Sequence, residues 1–213
     1  VLDTTKSNTI TIFGTNFGQS TTNNINAWYG TISNPKHYSA SDCEVKGDTE
    51  IRCKSENTIK SGINVRTGLR WIVKIVDQES EQSTDDSTKF ELPIIDSVTN
   101  NNDLPTVIDA SSQSKQAKSI TLHGKYFGIS DLKVEGWYGS TDKKKFYTAT
   151  ECKIVSDTEI ECKSINVKAG INREGLQWIV KIEDQESEQS TDNTTSYAKP
   201  VISSLENNIH MPT

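Results

Sequence analysis

The sequence predicts an all-β chain built as two tandem β-sandwiches. Three observations carry that prediction: a repeat with the period of a whole domain, apolar alternation with a period of 2, and no segment with a convincing amphipathic-helix pattern. The repeat is plainest in "DQESEQSTD", which occurs letter for letter at 77–85 and 184–192. "ITIFGTNFG" at 10–18 matches "ITLHGKYFG" at 120–128, and "WYG" at 28–30 matches 137–139. "DTEIRCKS" at 48–55 matches "DTEIECKS" at 157–164, and "GLRWIVKIVDQ" at 68–78 matches "GLQWIVKIEDQ" at 175–185. The offset falls only from 110 to 107 along the chain. A period that long is a domain rather than one unit of a solenoid.

The repeat also sets boundaries. "LPIIDSVTNNNDLPT" at 92–106 matches "KPVISSLENNIHMPT" at 199–213. The reading is therefore one domain over 1–93, a second over 94–200, and the start of a third copy or a terminal strand over 201–213. Val1 aligns near Ser111, so the first copy lacks its opening strand and leaves an edge unpaired. The whole reads as a segment of a longer tandem array. Pro93 fixes φ at the connection and limits its flexibility.

The elements follow in order. Ile10 and Ile12 correspond to Ile120 and Leu122 and point inward, while Thr11 and Thr121 point out. The four cysteines fall in two pairs ten residues apart, Cys43 with Cys53 and Cys152 with Cys162. Each pair flanks a hairpin: Gly47-Asp48-Thr49 turns the first, and Ser156-Asp157-Thr158 the second. Pairing the cysteines puts Val45 opposite Ile51 and Ile154 opposite Ile160. Opposed residues at a close antiparallel pair suit a disulfide. Matched pairs indicate an oxidising compartment. Zinc is the rival, but this spacing without a nearby Cys or His suits it poorly.

In "LRWIVKIV", Leu69, Trp71, Val73 and Ile75 share one face; Leu176, Trp178, Val180 and Ile182 stay large and apolar in the second copy. On the other face Arg70 becomes Gln177 and Val76 becomes Glu183. The first face is the expected core, and the second is expected to be solvated. "DQESEQSTD" then reverses the chain, and a strand ends before Leu92.

Composition bounds the function. Of 213 residues 32% are hydrophobic, the formal net charge is −6 and the pI is about 5.2. An acidic chain gains nothing from counterion release, so nucleic acid is excluded as an expected partner. No apolar run approaches the roughly 20 residues that span a bilayer, and no signal peptide is visible. The chain reads as a soluble piece, or as a soluble ectodomain cut from something longer. The sequon Asn193-Thr194-Thr195 marks Asn193 as a glycosylation acceptor.

No enzyme is expected. There is no phosphate loop, HExxH or nucleophile elbow. His37 aligns with Phe146, and His123 with Phe13, so neither position demands a base or ligand. No catalytic residue, cofactor or small-molecule substrate is assigned. The best metal candidate is a weak Ca²⁺ set on the acidic stretch: Asp77, Glu79 and Glu81, with Asp184, Glu186 and Glu188 in the second copy. An extended chain puts alternate carboxylates on one face, where they could take a hard cation. The stretch must reverse, however, which splays them into water. A solvated hairpin tip is the preferred reading.

Divergent loops are the binding candidates. "GTISNPKHYSASD" at 30–42 stands against "GSTDKKKFYTATE" at 139–151. Loops on a rigid frame are where recognition usually sits. They offer Asn34, Lys36, His37 and Tyr38 in one copy, and Lys143, Lys144, Lys145 and Tyr147 in the other.

The order "ITIxGxxFG", "WYG", Cys-turn-Cys hairpin, "GLxWIVKI" and a Ser-rich strand before Pro resembles IPT/TIG domains, the early-set (E-set) immunoglobulin-like modules of plexins and related receptors. The Asn- and Ser/Thr-rich texture and near-identical copies are similar to the tiger proteins of social amoebae. That resemblance implies two tandem immunoglobulin-like sandwiches in an extracellular, cell-surface protein. It implies cell–cell adhesion and self/non-self recognition through another ectodomain of the same family, with a membrane anchor outside these residues. Two alternatives stand beside it: a plexin-like signalling ectodomain that binds a soluble ligand, and a carbohydrate-binding accessory module of a secreted enzyme. Exposed aromatics on a flat face would favour the last. Trp71 and Trp178 are assigned to the core, and Trp28 and Trp137 stay open.

Overall fold

The computed structural model describes residues 1–19, 24–56, 66–100, 107–108, 119–164, 173–199 and 201–204. Among them are sixteen β-strands and no helix. The first copy contributes β1 (Thr9–Phe13), β2 (Ile25–Gly30), β3 (Tyr38–Gly47), β4 (Glu50–Lys54), β5 (Arg70–Ile75) and β6 (Gln78–Glu79). They form one sheet in the order β1-β4-β3-β2-β5-β6. The second copy contributes β7 (Ile94–Asn100), β8 (Val107–Ile108), β9 (Ser119–Lys125), β10 (Val134–Ser140), β11 (Lys143–Thr148) and β12 (Thr150–Ser156). It continues with β13 (Glu159–Lys163), β14 (Gln177–Ile182), β15 (Gln185–Glu186) and β16 (Ser196–Tyr197). Here the sheets are β11-β10-β14-β15, β12-β13-β9-β7 and the small parallel pair β16-β8. All the larger sheets are antiparallel, and each strand pairs within its own copy.

The two copies differ in sheet count for a local reason. β3 pairs with β2 through Tyr38–Ala40 and with β4 from Ser41 onward, with a register shift between Ser41 and Glu44. Asp42 takes a positive φ of 47° at that shift, and Glu151 takes 50° at the same place in the second copy. There the strand is interrupted and counts as β11 and β12. A bulge lets one continuous segment leave one layer and enter the facing one.

The layers meet at the disulfides. Cys43 bonds to Cys53 and Cys152 to Cys162, with Cα atoms 4.1 and 4.0 Å apart. Val45 faces Ile51 and Ile154 faces Ile160, in the register expected from sequence. A methyl group on Gly136 of β10 would sit 2.8 Å from Cys152 Sγ and 3.2 Å from Cys162 Sγ, so the bridge presses against the facing sheet. Removing it by Cys152→Ala with Cys162→Ala is expected to lower stability by about 3 kcal/mol, from the loop-closure entropy of so short a ring. Urea unfolding measures this, and an unchanged midpoint would refute it.

The core face of β5 and β14 is as expected. Leu69, Trp71 and Val73 are buried, and so are Leu176, Trp178, Val180 and Ile182. Tyr29 stacks on Tyr38 and Trp71 with ring centres 4.9 and 4.6 Å away. Tyr138 repeats this on Tyr147 and Trp178 at 4.9 and 4.5 Å. Each indole N–H has a partner: Trp71 donates to Thr88 Oγ1 and Trp178 to Thr195 Oγ1, both at 2.9 Å. Buried indoles usually need one.

Two expectations are corrected. The opposite face of these strands is not wholly solvated, because Ile72 and Ile179 are buried. Trp28 lies directly across from Ile72, and Trp137 across from Ile179. At cross-strand spacing a large ring shields its neighbour. The start of the first copy also shifts. Leu2 bridges Phe90 in parallel, as Ile108 pairs with Tyr197. Val1 is therefore the counterpart of Val107 rather than of a residue near Ser111. Eight positions separate Leu2 from Ile10 and twelve separate Ile108 from Ile120, so the shortening falls between these positions. Among the described residues, no strand pairs with β1 on the side that β7 occupies on β9.

Candidate contact surfaces

The repeated "DQESEQSTD" is built into the frame. The chain reverses over Val76 and Asp77, since Ile75 pairs directly with Gln78. Val76 has φ 59° and Glu183, its counterpart, 54°. Beyond the turn the segment runs back beside β5, and its serines replace carbonyls as acceptors. Ser80 N–H donates to Val73 O at 2.8 Å, and Ser80 Oγ accepts Val73 N–H at 3.1 Å. Ser83 does the same with Trp71, at 2.8 and 3.0 Å. Ser187 with Val180 and Ser190 with Trp178 repeat both arrangements. Gln82 Nε2 donates to Thr31 O at 3.1 Å. Asp85 Oδ1 accepts Ser87 N–H, and Asp192 Oδ1 accepts Thr194 N–H, both at 2.8 Å. The hydroxyls thus close a ladder that the bulging backbone does not reach.

The carboxylates of this stretch go separate ways. Glu79 pairs with Lys36 at 2.7 Å and Glu186 with Lys145 at 2.5 Å. Asp77, Glu81 and Glu188 are exposed. Asp184 accepts the backbone N–H of Arg66 at 2.5 Å and the hydroxyl of Thr67 at 2.6 Å. Among the described residues no three metal-ligating side chains gather into one site.

The divergent loops sort into surface and core. Tyr38 and Tyr147 are 0% exposed and belong to the aromatic stacks, so they drop out of any contact surface. Lys143, Lys144 and Lys145 lie on β11 rather than in a loop, and all three are exposed. Lys36 Nζ sits 4.6 Å from the Trp28 ring centre, and Lys145 Nζ 4.4 Å from that of Trp137. Each lysine is thereby fixed between an indole face and a glutamate. The two tryptophans carry a cation over the ring and are only partly exposed, unlike a bare aromatic platform. Asn34 Nδ2 lies 3.1 Å from His37 Nδ1, and Asn34 N–H donates to Thr31 Oγ1 at 3.1 Å. Asn193 is exposed. Lys36 and Lys145 are thus paired with glutamates, Lys143 Nζ lies 5.7 Å from the Phe146 ring centre, and Lys144 is exposed beside it.

The junction between the copies holds residues that the sequence reading missed. Arg66 is 0% exposed. One Nη2 donates to Glu91 O at 3.2 Å and to Tyr126 O at 2.9 Å, so it touches both copies. Burial pulls its pKa down to about 10, against the opposing pull of Asp184 and Asp157. It stays charged at neutral pH. Gln185 is buried and donates to Phe90 O at 2.7 Å, while its counterpart Gln78 is exposed. A cleft of about 440 Å³ beside the junction is lined by Leu92, Pro93, Ile94 and Ile95 and by Glu188 and Gln189. A signal existed: Arg66 and Arg173 stand at the same repeat position, five residues before a core tryptophan.

The two disulfides belong to an oxidising environment, as secreted and extracellular proteins provide. No helix among the described residues is long and apolar enough to cross a membrane. No protein-family model matches the chain, and no curated protein matches it.

Proposed function

We propose that this chain is an extracellular recognition and adhesion module. In this reading 1–93 and 94–200 are two tandem immunoglobulin-like sandwiches of the IPT/TIG kind, and 201–213 opens a third copy. They belong to a cell-surface protein anchored in the membrane elsewhere, and they bind the ectodomain of a related protein on a neighbouring cell. One observation carries the reading. The frame is the same in both copies, down to the serine hydroxyls and the indole hydrogen bonds, while the exposed rim differs. The first copy presents a loop with Asn34 and His37, and the second a β10–β11 hairpin with Lys143 and Lys144. A constant frame with a variable rim suits modules that recognise different surfaces. The lysine pair suits an acidic patch on a partner.

The test is capture of membrane ectodomains by the immobilised chain, repeated with Lys143→Glu and Lys144→Glu together. Capture of a related tandem ectodomain, reduced by the charge reversal, is the expected result. Binding to a glycan array with no ectodomain captured would replace this reading with the carbohydrate one. Binding to a secreted ligand alone would replace it with the signalling one.

A further inference from the structure

The cleft beside the junction combines apolar lining with carboxylates. Leu92 is 45% exposed and Ile94 46%, and both line it together with Pro93 and Ile95. Glu91, Asp96 and Glu188 line it too, and the last two are exposed. Its volume of about 440 Å³ is within the range of binding pockets. A side chain with an aliphatic stem and a cationic head suits both features, the stem on the aliphatic residues and the head on the carboxylates.

The same chain carries such side chains. Lys143 and Lys144 are exposed on β11, and Ser140 pairs with Lys143 across a two-residue turn, which fixes the backbone that presents them. Among the described residues none of Glu91, Asp96, Glu188, Lys143 and Lys144 is in an ion pair. The first copy has Asn34 and Pro35 in place of the two lysines. Hairpin and cleft are neighbours. Gln189 lines the cleft, and its Nε2 lies 3.5 Å from Ser140 O, where the hairpin begins. A basic hairpin beside an acidic cleft makes one self-complementary patch. Under a twofold axis the hairpin of each copy meets the cleft of the other.

We propose that the β10–β11 hairpin docks in the junction cleft of a second copy of this chain, each copy giving one hairpin and receiving the other. The stems of Lys143 and Lys144 lie along Leu92 and Ile94, and their ammonium groups meet Asp96 and Glu188. The inference rests on the recognition reading above and names the acidic surface that its lysine pair requires. Opposite charges steer the encounter and set the register, while covering Leu92 and Ile94 removes apolar surface from water. The two contacts are equivalent, so the assembly closes as a dimer.

Opposite charges allow a swap test. Lys143→Glu with Lys144→Glu reverses the hairpin, and Asp96→Lys with Glu188→Lys reverses the cleft. All four side chains are exposed, which spares the fold. Sedimentation of the wild-type chain is expected to show a concentration-dependent dimer that weakens with added salt. Either reversed chain alone is expected to associate at least about tenfold more weakly, because like charges then face each other. An equimolar mixture of the two is expected to recover wild-type association, since both contacts regain opposite charges. A wild-type dimer that the mixture fails to restore overturns the pairing of hairpin with cleft. A wild-type monomer at every concentration overturns the second copy as occupant. Capture of a different ectodomain through Lys143 and Lys144 by that same monomer would leave the recognition reading standing. A restored dimer with no membrane ectodomain captured would sustain this pairing and remove the adhesion reading.

Discussion

Arg66→Ala is expected to lower stability by about 3 kcal/mol and to split unfolding into two transitions. The guanidinium is fully buried and bonds carbonyls on both sides of the junction, Glu91 O and Tyr126 O. Truncation leaves those acceptors dry, and each hydrogen bond to a charged donor is worth roughly 1.5–3 kcal/mol. It also removes the cation facing Asp184 and Asp157. Arg66→Met is expected to recover most of the lost stability. Among the described residues Nε and Nη1 of Arg66 have no partner, and an incompletely satisfied buried charge is often replaced by an apolar side chain at little cost. Scanning calorimetry separates the cases. A single undisturbed transition in Arg66→Ala would show that the junction does not couple the copies.

Trp178→Ala is expected to cost about 3–5 kcal/mol, the range for deleting a buried tryptophan. The ring is sealed among Tyr138 and its neighbours, and its loss also orphans the buried Thr195 hydroxyl. That is a large share of the stability of an ordinary domain. Trp71→Ala should cost less, because Trp71 lines a surface groove of about 400 Å³ beside Ile10, Ile12 and Thr88, and water can enter the vacated space. Denaturant titration of the two variants compares them, and equal losses would contradict the difference in enclosure.

The parts legible in the sequence were those set by one neighbour along the chain or across a hairpin. The cysteine register follows from a turn centred on Asp48, or Asp157 in the second copy, and strand alternation, and the face of Leu176, Trp178, Val180 and Ile182 follows from the period of 2. Ile72 and Ile179 were misplaced because period alone cannot see a tryptophan on the adjacent strand. Tyr38 and Tyr147 looked like loop residues because they follow divergent segments, yet the strand restarts at or before them and turns them inward. The repeat marks the position of Arg66, but its role could not be read for a different reason. Its partners lie about 25, 60 and 118 residues away, and no local pattern encodes such distances. The acidic stretch was read as a solvated tip. Its serines in fact supply acceptors to the core strand, a role that needs coordinates to be seen.

The placement of each disulfide has a mechanical consequence. A bridge across a sequence separation of 10 shields only the hairpin it closes. At about 3.4 Å per extended residue it withholds roughly 35 Å from the contour. The rest of each repeat, some ~95 residues, can pay out roughly 320 Å when the chain is drawn from its ends. A tether made of such units would absorb a pull by lengthening stepwise while keeping every covalent staple intact.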